Sequence, residues 1–146
     1  MIDRVVLDTS TLVSAAIRIG SVPYRVLLHA FATCEICASV ETLEELERVL
    51  LRPVFDRYAS RKSRKEFIEL YRRNARIFAV DDSACTNVKP PCRDPKDNKF
   101  LALMLAAEAN VLVSSDQDLL ILHPWRGMSV VTPGKFLASS SEPMEE

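Results

Sequence analysis

The 146-residue sequence has little of what marks membrane, secreted or zinc-dependent proteins. Its longest clean apolar run, Phe100–Ala107, is much shorter than the roughly 18–20 residues that a bilayer-spanning helix requires. The N-terminus lacks the charged, apolar and small-residue zones of a signal peptide. The two histidines, His29 and His123, do not form a His-Glu-x-x-His zinc motif. We therefore expect a cytoplasmic protein with no membrane segment and no zinc chemistry of that type.

The four cysteines give weak support for a structural metal. Cys34 and Cys37 have the spacing of a zinc knuckle, but Cys85 and Cys92 do not form a second pair of that kind. The segment around Cys37 also resembles a short strand, in which residues three apart point to opposite faces. Reduced thiols are the preferred interpretation, and zinc is a minor alternative.

The sequence does contain the composition of a soluble globular domain and an alternation of strand and helix patterns. Hydrophobic residues make up 48% of the chain and charged residues 27%, which is an ordinary composition for a globular domain with a hydrophobic core and a solvated surface. Short β-rich runs alternate with amphipathic segments, which favours a parallel sheet covered by helices on both faces. We predict one α/β domain over residues 1–138 and a disordered acidic tail over residues 139–146.

The element boundaries are predicted from hydrophobic periodicity and capping residues. The predicted strands are Arg4–Asp8, Glu35–Ser39, Arg76–Val80, Asn110–Asp116 and Met128–Val131. One helix is predicted to begin at Val22 and another directly after Ser39. Two more are predicted over Ser60–Asn74 and Asp118–Leu122, and a long apolar helix is predicted to end at Ala109. A loop is predicted over Asp81–Arg93.

Acidic residues follow two of the predicted strands. Asp8 ends the first strand and Asp116 the fourth, and sites in parallel sheets form beyond the carboxyl ends of the strands. Asp97 opens the longest apolar helix, and Glu45 lies beside the apolar stripe of an earlier one. If the first and fourth strands are neighbours, these carboxylates must take up protons or share a cation. An all-oxygen site suits Mg²⁺ or Mn²⁺.

Each acid also has an ordinary structural explanation. Aspartate is a good helix N-cap, which is sufficient to explain Asp8, Asp97 or Asp116 taken singly. Glu45 fits a solvated helix face equally well. The combination of two strand-end acids with a helix-start acid in one sheet favours a metal site.

Three segments of the sequence resemble the PIN domain family, named after the N-terminus of PilT. They are VVLDTSTLVSA from Val5, SVETLEELERVLLRP from Ser39 and CRDPKDNKFLALMLAAEANVLVSSDQDLL from Cys92. The resemblance runs from Arg4 to about Pro133 and is closest to the toxin components of toxin–antitoxin systems. It implies a three-layer α/β/α fold with a central parallel sheet of four to five strands. It also implies a ribonuclease with one or two Mg²⁺ or Mn²⁺ ions, an RNA substrate, an antitoxin partner and a homodimer.

The resemblance assigns site residues position by position. The catalytic acids are Asp8, Glu45, Asp97 and Asp116, of which Asp8, Asp97 and Asp116 bind metal and Glu45 does so directly or through water. The accessory positions are Ser10, Ser114, Asp94 and Asp118.

Ser10 is the main departure from the family pattern. The family usually has asparagine there, and a hydroxyl lacks the donor pair of an amide. This difference leaves open a catalytically weak or inactive PIN-fold module that binds RNA or protein. A phosphatase of the haloacid-dehalogenase type is a weaker alternative, because that chemistry needs a second acid at this position.

A basic segment lies within a chain whose net charge is −1. Residues 57–76 contain eight basic and two acidic residues, so the segment carries +6 and the remainder of the chain −7. A basic helix can follow a phosphate backbone, although a charged solvated face explains the same pattern. The predicted RNA-binding residues are Arg61, Lys62, Arg64, Lys65, Arg72 and Arg73.

Overall fold

Five parallel strands form the centre of the fold. In the computed structural model, which describes residues 2–141, they are β1 (Arg4–Leu7), β2 (Glu35–Ser39), β3 (Arg76–Phe78), β4 (Val111–Val113) and β5 (Ser129–Val131). The strands are arranged in the order β3-β2-β1-β4-β5, and each neighbouring pair is parallel. The predicted parallel sheet is confirmed.

Helices connect the strands and cover both faces of the sheet. They are α1 (Thr9–Ile17), α2 (Val22–Thr33), α3 (Val40–Leu50), α4 (Arg61–Asn74), α5 (Asp82–Thr86), α6 (Asn98–Ala107), α7 (Gln117–Leu120) and α8 (Pro133–Ser141). Two 3₁₀ turns cover Pro53–Phe55 and Pro95–Asp97. The architecture is the three-layer α/β/α arrangement that the resemblance implied.

The two faces of the sheet carry separate hydrophobic cores because successive strand residues point to opposite sides. Val5 and Leu7 of β1 pack with residues of α1, α2, α3, α4 and α8. Val6 packs on the other face, mainly with α6 and α7. Burial on both faces explains why β1 and β4 are continuous apolar runs rather than alternating ones.

The observed elements differ from the predicted ones in two strands and in three helical segments. The strands β3 and β4 end earlier than predicted, at Phe78 and Val113, so Asp116 follows β4 by three residues and does not end the strand. The predicted helices begin at Val22, although an N-cap role for Asp8 was one interpretation. The structure has α1 directly after Asp8, and the Asp8 cap and core packing stabilise it although its Thr, Ser and Val have modest helix propensity.

The short helix α5 occupies part of the predicted loop and is capped by Asp81. The last helix continues to Ser141 and so includes the first three residues of the predicted tail, whereas residues 142–146 lie outside the described part of the chain.

The first two helices form a sharply bent pair. No single helix within residues 2–141 is long and apolar enough to cross a membrane, and α1 and α2 meet that test only together, with a bend of 104°. Leu12, Val26 and Ala30 of this pair are buried in the first core. Their apolar content is therefore used in packing against the sheet.

All four cysteines are free thiols. Cys37 and Cys92 belong to the second core. Burial raises the pKa of Cys37 to about 11, which opposes the thiolate form that zinc binds. The structure thus favours the reduced-thiol interpretation over a zinc knuckle at Cys34 and Cys37.

Candidate active site

The candidate site lies where the strand order reverses. The chain leaves β1 towards β2 on one side, whereas β4, the other neighbour of β1, is followed by β5 on the opposite side. Leu7 is paired with Val113, so the residues that follow each strand, Asp8 and Ser114, emerge side by side. Open α/β sheets bind ligands in the crevice at such a reversal.

Asp8 is a buried carboxylate held by donors from two elements. One oxygen accepts the backbone N–H of Thr11 at 2.9 Å, and the other accepts the Ser114 hydroxyl at 2.6 Å. Only 4% of Asp8 is exposed, and burial raises its pKa although both hydrogen bonds oppose the shift. Asp8 is therefore both the N-cap of α1 and an acid at the crevice, so the two interpretations of this residue are compatible.

Asp97 and Asp116 form a crowded pair beside Asp8. Asp97 directly precedes α6 but accepts no capping hydrogen bond, so its carboxyl group is available to contact Asp116. The pKa of Asp97 rises to about 7, first through burial, then through the hydrogen bond and charge of Asp116, and finally through the charges of Asp94 and Glu45. Ser114 links this pair to Asp8, since its oxygen also accepts the Asp116 backbone N–H at 2.9 Å. A bound cation would relieve the repulsion among these acids.

Glu45 reaches the site from α3. Its Oε1 accepts the Thr9 hydroxyl at 2.8 Å and lies 3.2 Å from Lys99 Nζ. Neither Thr9 nor Lys99 was predicted as a site residue. Lys99 follows Asp97 by two positions, but only the packing of α6 against α3 brings its ammonium group to Glu45.

A cavity of about 450 Å³ opens over the acids. Its lining includes all four predicted catalytic acids, together with Ser10. The wall continues along α1, α3 and the first 3₁₀ turn through Val13, Ser14, Ile17, Arg18, Val49 and Phe55. Arg18 and Phe55 also line the cavity but were not predicted as site residues, because neither belongs to a motif.

The accessory residues are distributed unevenly around this cavity. The Ser10 hydroxyl lies 3.4 Å from both carboxylate oxygens of Asp8. Asp94 accepts the Lys96 backbone N–H at 3.0 Å and influences the site through its charge on Asp97. Asp118 is not among the lining residues and lies 3.7 Å from Arg93 Nε. The structure thus brings Ser10 and Ser114 to Asp8 but turns Asp118 towards a basic partner.

The donor chemistry of the site fits a hard divalent cation. Carboxylate and hydroxyl oxygens are the ligands that Mg²⁺ and Mn²⁺ prefer. As the side chains stand, no group of three or more His, Cys, Asp or Glu residues within residues 2–141 is arranged to hold a metal ion. Binding through Asp8, Asp97 and Asp116 would therefore require their side chains to rotate towards a common point.

Comparison with known proteins connects this geometry to a family. The family model for the PIN domain matches residues 4–118. The chain belongs to the PIN domain family. PIN domains are generally nucleases, which supports a hydrolase acting on nucleic acid. Among curated proteins, none has a sequence that matches this PIN domain.

Solved structures with the same fold have low sequence identity to this PIN domain. VapBC2 from Rickettsia felis, bound to a DNA fragment from its promoter, gives a TM-score of 0.61 at 14% identity and covers 88% of this chain and 98% of its own. VapC20 from Mycobacterium tuberculosis, a toxin that cleaves the sarcin-ricin loop, gives a TM-score of 0.51 at 13% sequence identity, and the match covers 74% of this chain and 86% of the VapC20 chain. PAE2754 from Pyrobaculum aerophilum gives a TM-score of 0.63 at 14% sequence identity, and the match covers 94% of this chain and 88% of the PAE2754 chain. These likenesses show the fold.

Arg64 was predicted to bind RNA, and the structure of this PIN domain contradicts that prediction. Its side chain is fully buried and its guanidinium pairs with Asp56. The same group donates to the backbone carbonyls of Leu50, Arg52 and Ala59 at 2.8, 3.2 and 3.0 Å. Arg64 ties the end of α3 to the start of α4, so it is not accessible to a phosphate.

The other basic residues of α4 are exposed but lie at different distances from the cavity. Because α4 leads directly into β3, its C-terminal end lies at the amino edge of the sheet. Arg73 accordingly lines a depression with Ile2 and Glu35, which are also at that edge. The 14-residue helix is about 21 Å long, which places Arg61, Lys62 and Lys65 nearer the acids. Arg72 pairs with Glu69 and Glu47.

Proposed function

We propose that this PIN domain is a metal-dependent endoribonuclease that hydrolyses phosphodiester bonds in RNA. The observation that carries the proposal is the convergence of Asp8, Glu45, Asp97 and Asp116 on one cavity at the carboxyl ends of β1 and β4. Membership of a family of nucleases supports it. The test is cleavage of single-stranded RNA in Mn²⁺ and in EDTA: cleavage only with Mn²⁺ is expected, and equal cleavage in both would refute metal dependence.

The residues around the cavity have distinct tasks in this proposal. Mg²⁺ or Mn²⁺, when bound, lowers the pKa of a water and neutralises charge on the scissile phosphate. Asp8, Asp97 and Asp116 hold the cation, and Ser114 fixes Asp8 relative to Asp116 through its two hydrogen bonds. In this proposal the exposed Ser10 hydroxyl, which lies beside Asp8, donates to a phosphate oxygen.

The RNA strand is proposed to run along α1 from the acids to Arg18. Ser10 and Ser14 share one face of α1, Arg18 is the residue that caps the C-terminal end of that helix, and all three line the cavity. The axial distance from the first to the last is about 12 Å. Arg18 then provides a positive charge for a backbone phosphate, although the chain as a whole has a net charge of −1.

Replacement of Arg18 by glutamate is expected to weaken binding of single-stranded RNA and to lower its salt dependence. Loss of one phosphate contact on a single strand reduces the slope of log K against log salt by about 0.7. Fluorescence anisotropy across a salt series measures both quantities. Arg73→Glu makes the same charge change at the far end of α4 and serves as the control, while Lys62→Glu and Lys65→Glu should have intermediate effects. Equal losses for Arg18→Glu and Arg73→Glu would contradict this path.

The biological role proposed is that of the toxin in a toxin–antitoxin pair, acting as a cytoplasmic homodimer. The similarity in fold to VapC20, described as a toxin, and to VapBC2 supports this role. A protein antitoxin that covers the acidic cavity is the expected partner. Expression of the chain alone should arrest growth, and co-expression of the product of the neighbouring reading frame should restore it. Normal growth during expression of an active nuclease would refute the toxin role.

Ser10 supports the second candidate, a catalytically weak PIN-fold module. Its hydroxyl lies 3.4 Å from the Asp8 oxygens, which is too long for a strong hydrogen bond. Replacement by asparagine should raise the Mn²⁺-dependent cleavage rate by about tenfold, the lower end of the effects of residues that support metal ligands. Steady-state cleavage of a labelled RNA measures the change. Ser14→Asn, one turn further along the same lining face, is the control, and an equal rise in both variants would remove Ser10 as the cause.

A further inference from the structure

The ion pair between Lys99 and Glu45 lies within the acid cluster, and the proposed reaction gives it no task. Lys99 Nζ is 3.2 Å from Glu45 Oε1, and these side chains are only 17% and 16% exposed. The same ammonium group donates to the backbone carbonyl of Lys96 and lies 5.6 Å from the centre of the Phe100 ring. Three contacts therefore hold Lys99 in place, so its charge is a fixed part of the site.

One of the two carboxylate oxygens of Glu45 is already engaged, whereas no hydrogen bond reaches the other within the part of the chain that the structure describes. The oxygen that contacts Lys99 also accepts the Thr9 hydroxyl at 2.8 Å. A Mg²⁺ ion on that oxygen, at roughly 2.0–2.1 Å, would replace the Thr9 hydrogen bond, and an ion on either oxygen would lie close to the Lys99 ammonium group, a cation of the same sign. Coulomb repulsion between the two cations opposes that arrangement, so Lys99 and a metal ion compete for Glu45.

The three aspartates differ from Glu45 in this respect. Within residues 2–141, Asp8, Asp97 and Asp116 form no ion pair with a basic side chain. Their carboxyl groups line the same cavity at the reversal of the strand order and have no basic partner, whereas the charge of Glu45 is already compensated by Lys99. The carboxylates that lack a positively charged partner are therefore the three aspartates, and a bound cation would be stabilised by them rather than by Glu45.

We propose that Lys99 takes the place of a second metal ion, so that the site binds one divalent cation through Asp8, Asp97 and Asp116. In this arrangement Glu45 is a positioning residue, held by Lys99 and Thr9, rather than a direct ligand. The inference rests on the proposed metal-dependent nuclease function. It settles two points that the sequence leaves open, the number of metal ions and the role of Glu45.

Calorimetric titration of the full chain with Mn²⁺, in the absence of RNA, tests the inference. We expect the wild type to bind one ion per chain. Lys99→Met should bind a second, weaker ion, because the released Glu45 carboxylate becomes a ligand. Lys99→Arg keeps the positive charge and should remain at one ion, and the double variant Lys99→Met/Glu45→Gln should return to one.

The outcomes separate failure of this inference from failure of the proposed function. Two ions on the wild type, or one ion of unchanged affinity on Lys99→Met, would overturn the inference and leave a metal-dependent nuclease intact. Absence of Mn²⁺ binding by the wild type would overturn both. If circular dichroism shows that Lys99→Met does not fold, Glu45→Gln alone decides: it should still bind one ion, and loss of binding would make Glu45 a direct ligand.

Discussion

Replacement of Asp8 by asparagine is expected to lower Mn²⁺-dependent RNA cleavage by about a thousandfold. Loss of metal-mediated charge stabilisation costs several kcal/mol in the transition state, and each 1.4 kcal/mol is a factor of about ten in rate. Asp8 is central because it contacts Ser114, which in turn contacts Asp116, so its carboxylate organises the strand-end half of the site. Cleavage of labelled single-stranded RNA at saturating Mn²⁺ measures the effect.

The same substitution should leave the fold intact, which distinguishes it from a simple loss of stability. The carbonyl oxygen of asparagine replaces the acceptor for the Thr11 N–H, and its amide can donate to the Ser114 hydroxyl. Burial raises the pKa of Asp8, so removal of its charge relieves a desolvation cost when no metal is bound. The melting temperature without metal should therefore be unchanged or higher.

Mn²⁺ provides a second readout for this variant. A ligand present at one hundred times its dissociation constant stabilises the folded state by about 2.7 kcal/mol, so the wild type should melt at a higher temperature with Mn²⁺. Asp8→Asn should show no such rise. Asp118→Asn is the matched control, since Asp118 also follows β4 but faces Arg93 outside the cavity. Comparable activity losses in both variants would place the metal site elsewhere.

The sequence was sufficient to predict the parts of this site that depend on strand ends. Asp8 and Asp116 follow apolar runs, and parallel strands bring such positions to one edge whenever the strands are neighbours. Periodicity alone does not determine the strand order, because β1 and β4 are both short apolar runs and neither sequence shows which strand is its neighbour. Only the pairing of β1 with β4 shows that Ser114 lies against Asp8.

The residues that escaped prediction depend on contacts between helices. Lys99 and Arg64 are basic residues on amphipathic helices, and their sequence patterns resemble those of solvated surface residues. Their actual roles depend on where α3 ends relative to α4 and α6. Helix packing positions are determined by the whole core, so a single segment of sequence does not show which charges become buried.

Arg64 gives the largest expected effect on stability. Arg64→Met should lower the free energy of unfolding by about 2–3 kcal/mol, because a buried carbonyl that loses its donor costs about 1–3 kcal/mol and two part-buried carbonyls lose theirs at a smaller cost. Leu50, Arg52 and Ala59 supply those carbonyls. The Asp56 partner contributes little, since 64% of its side chain is exposed and solvent screens the pair. Urea unfolding monitored by circular dichroism measures the difference.

The neighbouring residue provides the control for this prediction. Lys65→Met removes a charge from the same turn of α4, but Lys65 is exposed, so its free energy of unfolding should change by no more than about 0.5 kcal/mol. Arg64→Lys should recover only part of the loss, because an ammonium on a shorter stem does not reproduce the fork of guanidinium donors. The 3₁₀ turn that carries Phe55 lies between the elements that Arg64 joins, so Arg64→Met should also disturb the cavity wall. Equal stability of Arg64→Met and Lys65→Met would mean that water satisfies the three carbonyls and that Arg64 is buried without being needed.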